Sequence, residues 1–146
     1  MIIPPIFELG SVSVVDSSVK NQERIIFRPT EPINLSQIGI MIGWKNENGI
    51  IIPLNNSFFW FGEIEISPPC WIVIYTGKGT FQMLKHEQTG HPIYVFYWGR
   101  DVTIFNLREI VPVVFKMGGV QIGGHLQPPQ TWEQFQLTHN QPPQLQ

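Results

Sequence analysis

The stretch that decides the fold is Ile38-Gly39-Ile40-Met41-Ile42-Gly43-Trp44, followed by Lys45-Asn46-Glu47-Asn48-Gly49 and then Ile50-Ile51-Ile52. Large apolar residues stand at every second position from Ile38 to Trp44, and this period of two is typical of a strand with one buried face. The Asn48-Gly49 pair favours a tight turn with positive φ, which is a strong local signal for a hairpin. The stretch therefore predicts two antiparallel strands joined by a short turn.

Further short apolar runs lie on both sides of this hairpin. Prolines and glycines separate them, and short strands every ~8–12 residues are typical of β-sandwiches and barrels. The tetrapeptide Thr76-Gly77-Lys78-Gly79 lies between two such runs and predicts a second hairpin. Only residues 106–110 suggest a helical turn. The additional predicted strands span residues 12–14, 23–28, 58–66, 70–75, 80–85, 93–98, 102–105 and 111–117.

The composition of the 146-residue chain supports the same fold class. It contains no alanine, 20 isoleucines and 18 aromatic residues. Alanine is the best helix former, whereas isoleucine and the aromatic residues favour strands, so helical bundles and helix-on-sheet α/β enzymes are excluded. We therefore expect an all-β fold: an antiparallel β-sandwich or a jelly-roll-like barrel of roughly nine to eleven short strands.

The composition also divides the chain into two parts. Residues 1–122 are predicted to form a single β domain with a short N-terminal arm, and residues 123–146 a Pro/Gln-rich C-terminal tail. The tail contains seven glutamines but only one charged residue, Glu133. Such a segment buries too little apolar area to offset chain entropy, so we expect an extended arm. Trp132 and Phe135 are then candidate binding residues, because exposed aromatic groups on a short arm suit a groove on a partner.

The charge and cysteine content of the chain restrict the kinds of partner it can bind and the cellular compartment that suits it. The formal net charge is −2 with a pI near 6.0. Nucleic-acid binding normally needs a basic surface, so we do not expect a nucleic-acid partner. No apolar run approaches the ~18 residues of a membrane-spanning helix, and two prolines interrupt the apolar N-terminus, which predicts neither membrane insertion nor a signal peptide. The single cysteine, Cys70, argues against a disulfide framework and favours the cytoplasm.

Aromatic residues provide a second group of candidates in the β domain. The runs Phe58-Phe59-Trp60-Phe61 and Tyr94 to Trp98 place aromatic side chains on both faces of their strands. Most must fill the core, but at least one outer face is then covered by another element or another chain. Trp44 and Trp98 are the domain residues that we assign to binding.

The motif His86-Glu87-Gln88-Thr89-Gly90-His91 is the weak candidate for a metal site. Helical zinc motifs place two histidines four positions apart, whereas His86 and His91 are five apart with a glycine between them. A solvated hairpin loop is the simpler interpretation, and we expect no metal or other cofactor.

The sequence shows no catalytic arrangement of Ser, His and Asp or of Cys and His. We therefore predict a non-catalytic interaction or assembly subunit, which binds itself or a protein partner through apolar strand faces and the C-terminal arm. The alternative is a β domain that binds carbohydrate or another small molecule through exposed Trp and Tyr. A third, weaker hypothesis is a hydrolase or a metal-dependent cupin-like enzyme that uses His86, Glu87 and His91.

Overall fold

The structure, a computed structural model, describes residues 5–119, 121–128 and 130–139, without the side chains of residues 55–57 and 138–139. The described chain is mostly β, with a 3₁₀ turn at Leu35–Gln37. Its elements in chain order are β1 Ser13–Val15, β2 Arg24–Phe27, β3 Ile33–Asn34, β4 Ile38–Lys45, β5 Ile51–Trp60, β6 Glu65–Ile66, β7 Trp71–Tyr75, β8 Gln82–Lys85, β9 Pro92–Tyr97, β10 Ile110–Lys116 and α1 Trp132–His139.

The predicted hairpin is confirmed. Strands β4 and β5 pair antiparallel, with Lys45 opposite Ile51, and β10 pairs with the other edge of β4 to give a sheet of order β10-β4-β5. Gly49 takes a positive φ of 77°, as the Asn-Gly turn requires. The Asn46 side-chain oxygen closes the turn by accepting 2.9 Å hydrogen bonds from the backbone N–H groups of Asn48 and Ile50.

The five-stranded sheet departs from the prediction of purely antiparallel pairing. Its order is β1-β2-β7-β9-β8, and β7 runs parallel to β9. The predicted hairpin through Thr76-Gly77-Lys78-Gly79 is therefore wrong, because β9 lies between β7 and β8. At Gly79, a Cβ atom would collide with the ring of Tyr97. The glycine is needed for this close crossing over β9, not for a hairpin turn.

The sheets share one hydrophobic core. Strands β2 and β7 contribute Ile25 and Ile72, and β4 contributes Ile40, all fully buried. The short β3-β6 pair contributes Ile33 and Ile66. Among the described residues, none after Val114 belongs to this core or packs against it. The core therefore contains residues from all three sheets.

The predicted strand at residues 102–105 is absent, because its backbone donors are used elsewhere. The N–H groups of Ile104 and Phe105 donate to the carboxylate of Glu23, at 2.7 and 3.0 Å. Glu23 is 1% exposed and also accepts hydrogen bonds from the Ser18 N–H and the Thr76 hydroxyl. A buried carboxylate thus fixes this loop against β2 and β7 without a strand ladder.

The C-terminal segment also differs from the expected extended arm, because Trp132–His139 form a helix. Residues 129 and 140–146 of the predicted tail, including Pro142 and Pro143, lie outside the described residues. None of the helices in the described part of the chain is both long and apolar enough to cross a bilayer.

Candidate functional site

The candidate site is the side of the three-stranded sheet that faces away from the core. Residues directly opposite each other on paired antiparallel strands point to the same face, and this face alternates with the buried Ile38, Ile40 and Ile42. We call it the outer sheet face. Its residues are Gly39, Met41, Gly43 and Lys45 of β4, Ile51, Pro53, Phe58 and Trp60 of β5, and Val111, Val113 and Phe115 of β10.

Glycines in the central strand shape this face. An added Cβ at Gly39 would lie 2.8 Å from the Phe115 ring and 2.9 Å from the Phe58 ring. The two phenyl rings therefore lie over the Gly39 backbone, with centroids 5.7 Å apart. A side chain at position 39 would hold these rings away from the sheet, so glycine makes the face flat and aromatic.

The large side chains that β5 contributes to the outer sheet face remain exposed to solvent, whereas Met41, Val113 and Phe115 are half-buried. Phe58 is 52% exposed, Trp60 46% and Ile51 39%. The Trp60 indole Nε1–H donates a 2.8 Å hydrogen bond to the Ser36 carbonyl, which fixes the orientation of the ring. Of the eleven residues that define the face, only Lys45, at the end of β4, carries a charge. Contiguous exposed apolar surfaces of this kind mark interaction sites in soluble proteins.

The helix α1 presents a second exposed aromatic group. The rings of Trp132 and Phe135 stack with centroids 5.5 Å apart, and Trp132 is 68% exposed. The helix begins with a reciprocal cap: the Thr131 N–H donates to Gln134 Oε1, and the Gln134 N–H donates to Thr131 Oγ1. Glu133 in the first turn is favourable near the positive end of the helix dipole. The Thr131-x-x-Gln134 spacing is a sequence signal from which this helix was predictable.

The two predicted binding tryptophans of the domain lie elsewhere. Trp98 is half-buried and packs against the core, 5.5 Å from the ring of Phe59. Trp44 is half-buried and shares the side of β4 that carries Ile42. Neither residue is on the outer sheet face, whose exposed tryptophan is Trp60, and the predicted binding residue Trp132 is exposed on α1.

The histidine pair closes a loop between β8 and β9. His86 donates its backbone N–H to the His91 carbonyl at 2.9 Å, and its ring Nδ1 accepts hydrogen bonds from the N–H groups of Gln88 and Thr89. In the part of the chain that the structure describes, no group of three or more His, Cys, Asp and Glu residues is arranged to hold a metal ion. Cys70 is buried, which raises the pKa of its thiol, and the charge of Arg28 opposes this shift.

Comparison with known proteins gives no relative: no family model matches the sequence, and neither the curated proteins nor the solved structures contain a significant match. The functional argument therefore depends on the geometry of the described residues.

Proposed function

We propose that this protein is a non-catalytic assembly subunit, which associates with further copies of itself through the outer sheet face and the helix α1. The observation that carries the proposal is the exposed apolar surface formed by Phe58, Trp60 and Ile51. Burial of apolar area stabilises an interface by about 25 cal/mol per Å² before association costs are subtracted. A face with Lys45 as its single charged residue offers little electrostatic selection of a foreign partner, whereas a second copy presents the same apolar chemistry.

The small size of the sheet face supports the inclusion of the arm in the proposed interface. Three strands ~4.8 Å apart, each with about seven residues rising ~3.3 Å, cover roughly 300 Å². A stable interface buries about 800 Å² on each partner. The exposed side chains Trp132, Phe135 and Leu137 of α1 supply further apolar area, because an aromatic side chain alone buries ~150–250 Å².

The connection between the two surfaces is long enough for an exchange of arms between copies. Strand β10, an edge of the three-stranded sheet, ends at Lys116, and α1 begins at Trp132. The 15 intervening residues, 117–131, span at most about 50 Å when extended. This reach lets α1 of one subunit pack beside the outer sheet face of another.

Two finer features belong to the same proposal. The five-stranded and three-stranded sheets contribute to one core, which supports a sandwich arrangement of the β domain. The chain has one cysteine, and the structure places it in the interior, which supports a reducing, cytoplasmic setting.

The experiment is the solution mass of the wild type and of Phe58→Ser, measured by light scattering over a range of concentrations. The matched control is Phe7→Ser, because Phe7 is 79% exposed and lies in the N-terminal segment. We expect the wild type and Phe7→Ser to associate, and Phe58→Ser to remain at the mass of one subunit at the same concentration. Equal masses for all three proteins would contradict the proposal, provided that circular dichroism shows each to be folded.

A further inference from the structure

A different surface, on the five-stranded sheet, carries two arginine–aromatic pairs. Arg24 begins β2 and Arg28 directly follows it, so the four-residue spacing puts both on one side of the strand. The Arg24 guanidinium carbon lies 5.8 Å from the centre of the Tyr75 ring, and that of Arg28 lies 4.3 Å from the centre of the Trp71 ring. Each contact is within the range of a cation–π interaction.

The two pairs differ in whether an acidic side chain forms an ion pair with the arginine. Arg24 forms a 2.7 Å ion pair with Asp16 and donates to the Gln22 carbonyl at 2.9 Å. For Arg28, no acidic side chain among the described residues lies within 4.0 Å. The Arg24 site thus shows how a carboxylate complements such a pair in this sheet. The Arg28 side chain is exposed to solvent, and its guanidinium offers several N–H donors to an anion.

Arg28 and Trp71 also border a cleft of about 760 Å³. This volume is within the ~300–1,000 Å³ of small-molecule sites, which combine apolar walls with a few polar groups. The polar groups here are the guanidinium and three hydroxyls, and the rest of the lining is mainly apolar. The residues that line the cleft are Gly10, Ser11, Ser13, Val15, Ile26, Phe27, Arg28, Pro29, Thr30, Pro68, Pro69 and Trp71.

We propose that this cleft binds a small organic anion that has a planar ring and a carboxylate or phosphate group. The anionic group pairs with Arg28 as Asp16 does with Arg24, and the ring packs against the apolar wall that includes Pro68 and Ile26. The hydroxyls of Ser11 and Ser13 are placed to hydrogen-bond polar substituents of the ring. The site lies on a different sheet from the outer sheet face and is independent of self-association.

The test uses benzoate, phenyl phosphate and the neutral analogue benzyl alcohol as probes. Binding is followed by the NMR signal of the Trp71 indole N–H, which is assigned by its loss in Trp71→Phe. We expect saturable shifts of this signal with one or both anions, and at least tenfold weaker binding of benzyl alcohol. The tighter of the two anions identifies the class of the natural ligand as a carboxylate or a phosphate.

Arg28→Met keeps an apolar stem but removes the charge, and we expect it to weaken anion binding at least tenfold. The control is Arg108→Met, because the Arg108 side chain is 95% exposed and is not part of the cleft. Unchanged affinity in Arg28→Met, equal affinity for benzyl alcohol, or no shift with either anion at millimolar concentration would overturn the proposal. Amide spectra of each variant establish that the fold is retained.

Discussion

The ring centroids of Phe58 and Phe115 lie 5.7 Å apart, and both rings approach the backbone of Gly39. Gly39 belongs to β4, the strand between β5 and β10 in the sheet. This packing joins the three strands on the exposed side as the isoleucines of β4 do on the buried side. Because Phe58 is about half exposed, the contact gives a rigid apolar surface without completing a second core.

The close approach at Gly39 predicts a cost for any side chain there. Gly39→Ala puts a Cβ within 3 Å of both rings, so the rings must move away from the sheet. We expect the free energy of unfolding to fall by about 1–2 kcal/mol, as for other overpacked sites, and self-association to weaken. Urea unfolding at a fixed protein concentration measures the first effect. The control Gly118→Ala meets no atom within 4 Å, and an equal loss in both variants would contradict this explanation.

The buried carboxylate of Glu23 predicts a larger loss of stability. It accepts four hydrogen bonds, two at each oxygen, from Ser18, Thr76, Ile104 and Phe105. In Glu23→Gln, one oxygen becomes an NH₂ group, so at least one backbone N–H faces another donor in either amide orientation. We expect a loss of about 2–3 kcal/mol, since hydrogen bonds to charged groups contribute ~1.5–3 kcal/mol each.

The matched control for Glu23→Gln is Glu87→Gln, because Glu87 is exposed in the loop between β8 and β9. Thermal or urea unfolding should leave that control within about 0.5 kcal/mol of the wild type. Similar stability of Glu23→Gln and the wild type would show that the network does not support the loop at residues 104–105.

The pair formed by Glu8 and Lys116 predicts a pH dependence. The hydrogen bond from Lys116 lowers the pKa of the Glu8 carboxyl below its ordinary 4.5, and a hydrogen bond from the Glu8 backbone lowers it further. Because the folded-state pKa is depressed, the contribution of this pair to stability is present above about pH 4.5 and disappears as the pH falls through the folded-state pKa.

Lys116→Met should raise the pKa of Glu8 toward 4.5, and a carboxyl carbon NMR titration measures this directly. Lys45→Met is the control, because Lys45 lies at the opposite end of β4 from Ile38, the residue that pairs with Lys116. An unchanged Glu8 titration in Lys116→Met would show that the ion pair is not formed in solution.

The exposed helix α1 predicts that a substitution there weakens self-association without changing the stability of the β domain. Trp132→Ser removes half of the stacked aromatic pair on α1, whereas Leu126→Ser changes a fully exposed residue in the preceding segment. We expect Trp132→Ser to weaken self-association, measured by sedimentation velocity, without a change in the melting temperature of the β domain. Leu126→Ser should match the wild type in both measurements. Identical self-association of the two variants would show that α1 is not part of the interface.

The sequence predicted the parts of this fold that depend on local signals. The alternation from Ile38 to Trp44 and the Asn48-Gly49 pair correctly predicted the β4-β5 hairpin, whereas its register, which shifts between Met41 and Gly43, was not predicted. The helix cap formed by Thr131 and Gln134 is also a local signal. The Pro/Gln-rich composition of the tail led to the prediction of an extended arm instead of a helix.

The parts that could not be predicted depend on contacts between distant residues. Parallel pairing of β7 with β9 places Gly79 against Tyr97, and no local pattern distinguishes that use of glycine from a hairpin turn. In the same way, Glu23 lies between the polar residues Gln22 and Arg24, and only the folded chain shows that it is buried and binds a loop 81 residues away at Ile104. The exposure of Phe58 rather than its neighbour Phe59 also depends on the order of the strands.

The most direct test of self-association is sedimentation equilibrium of the full-length wild-type chain from low micromolar to several hundred micromolar concentration. The account predicts a weight-average mass that rises with concentration from the 16.8 kDa of one subunit to a whole multiple of it. A mass that remains at 16.8 kDa throughout would contradict it, because neither the outer sheet face nor α1 would then hold two copies of the chain together.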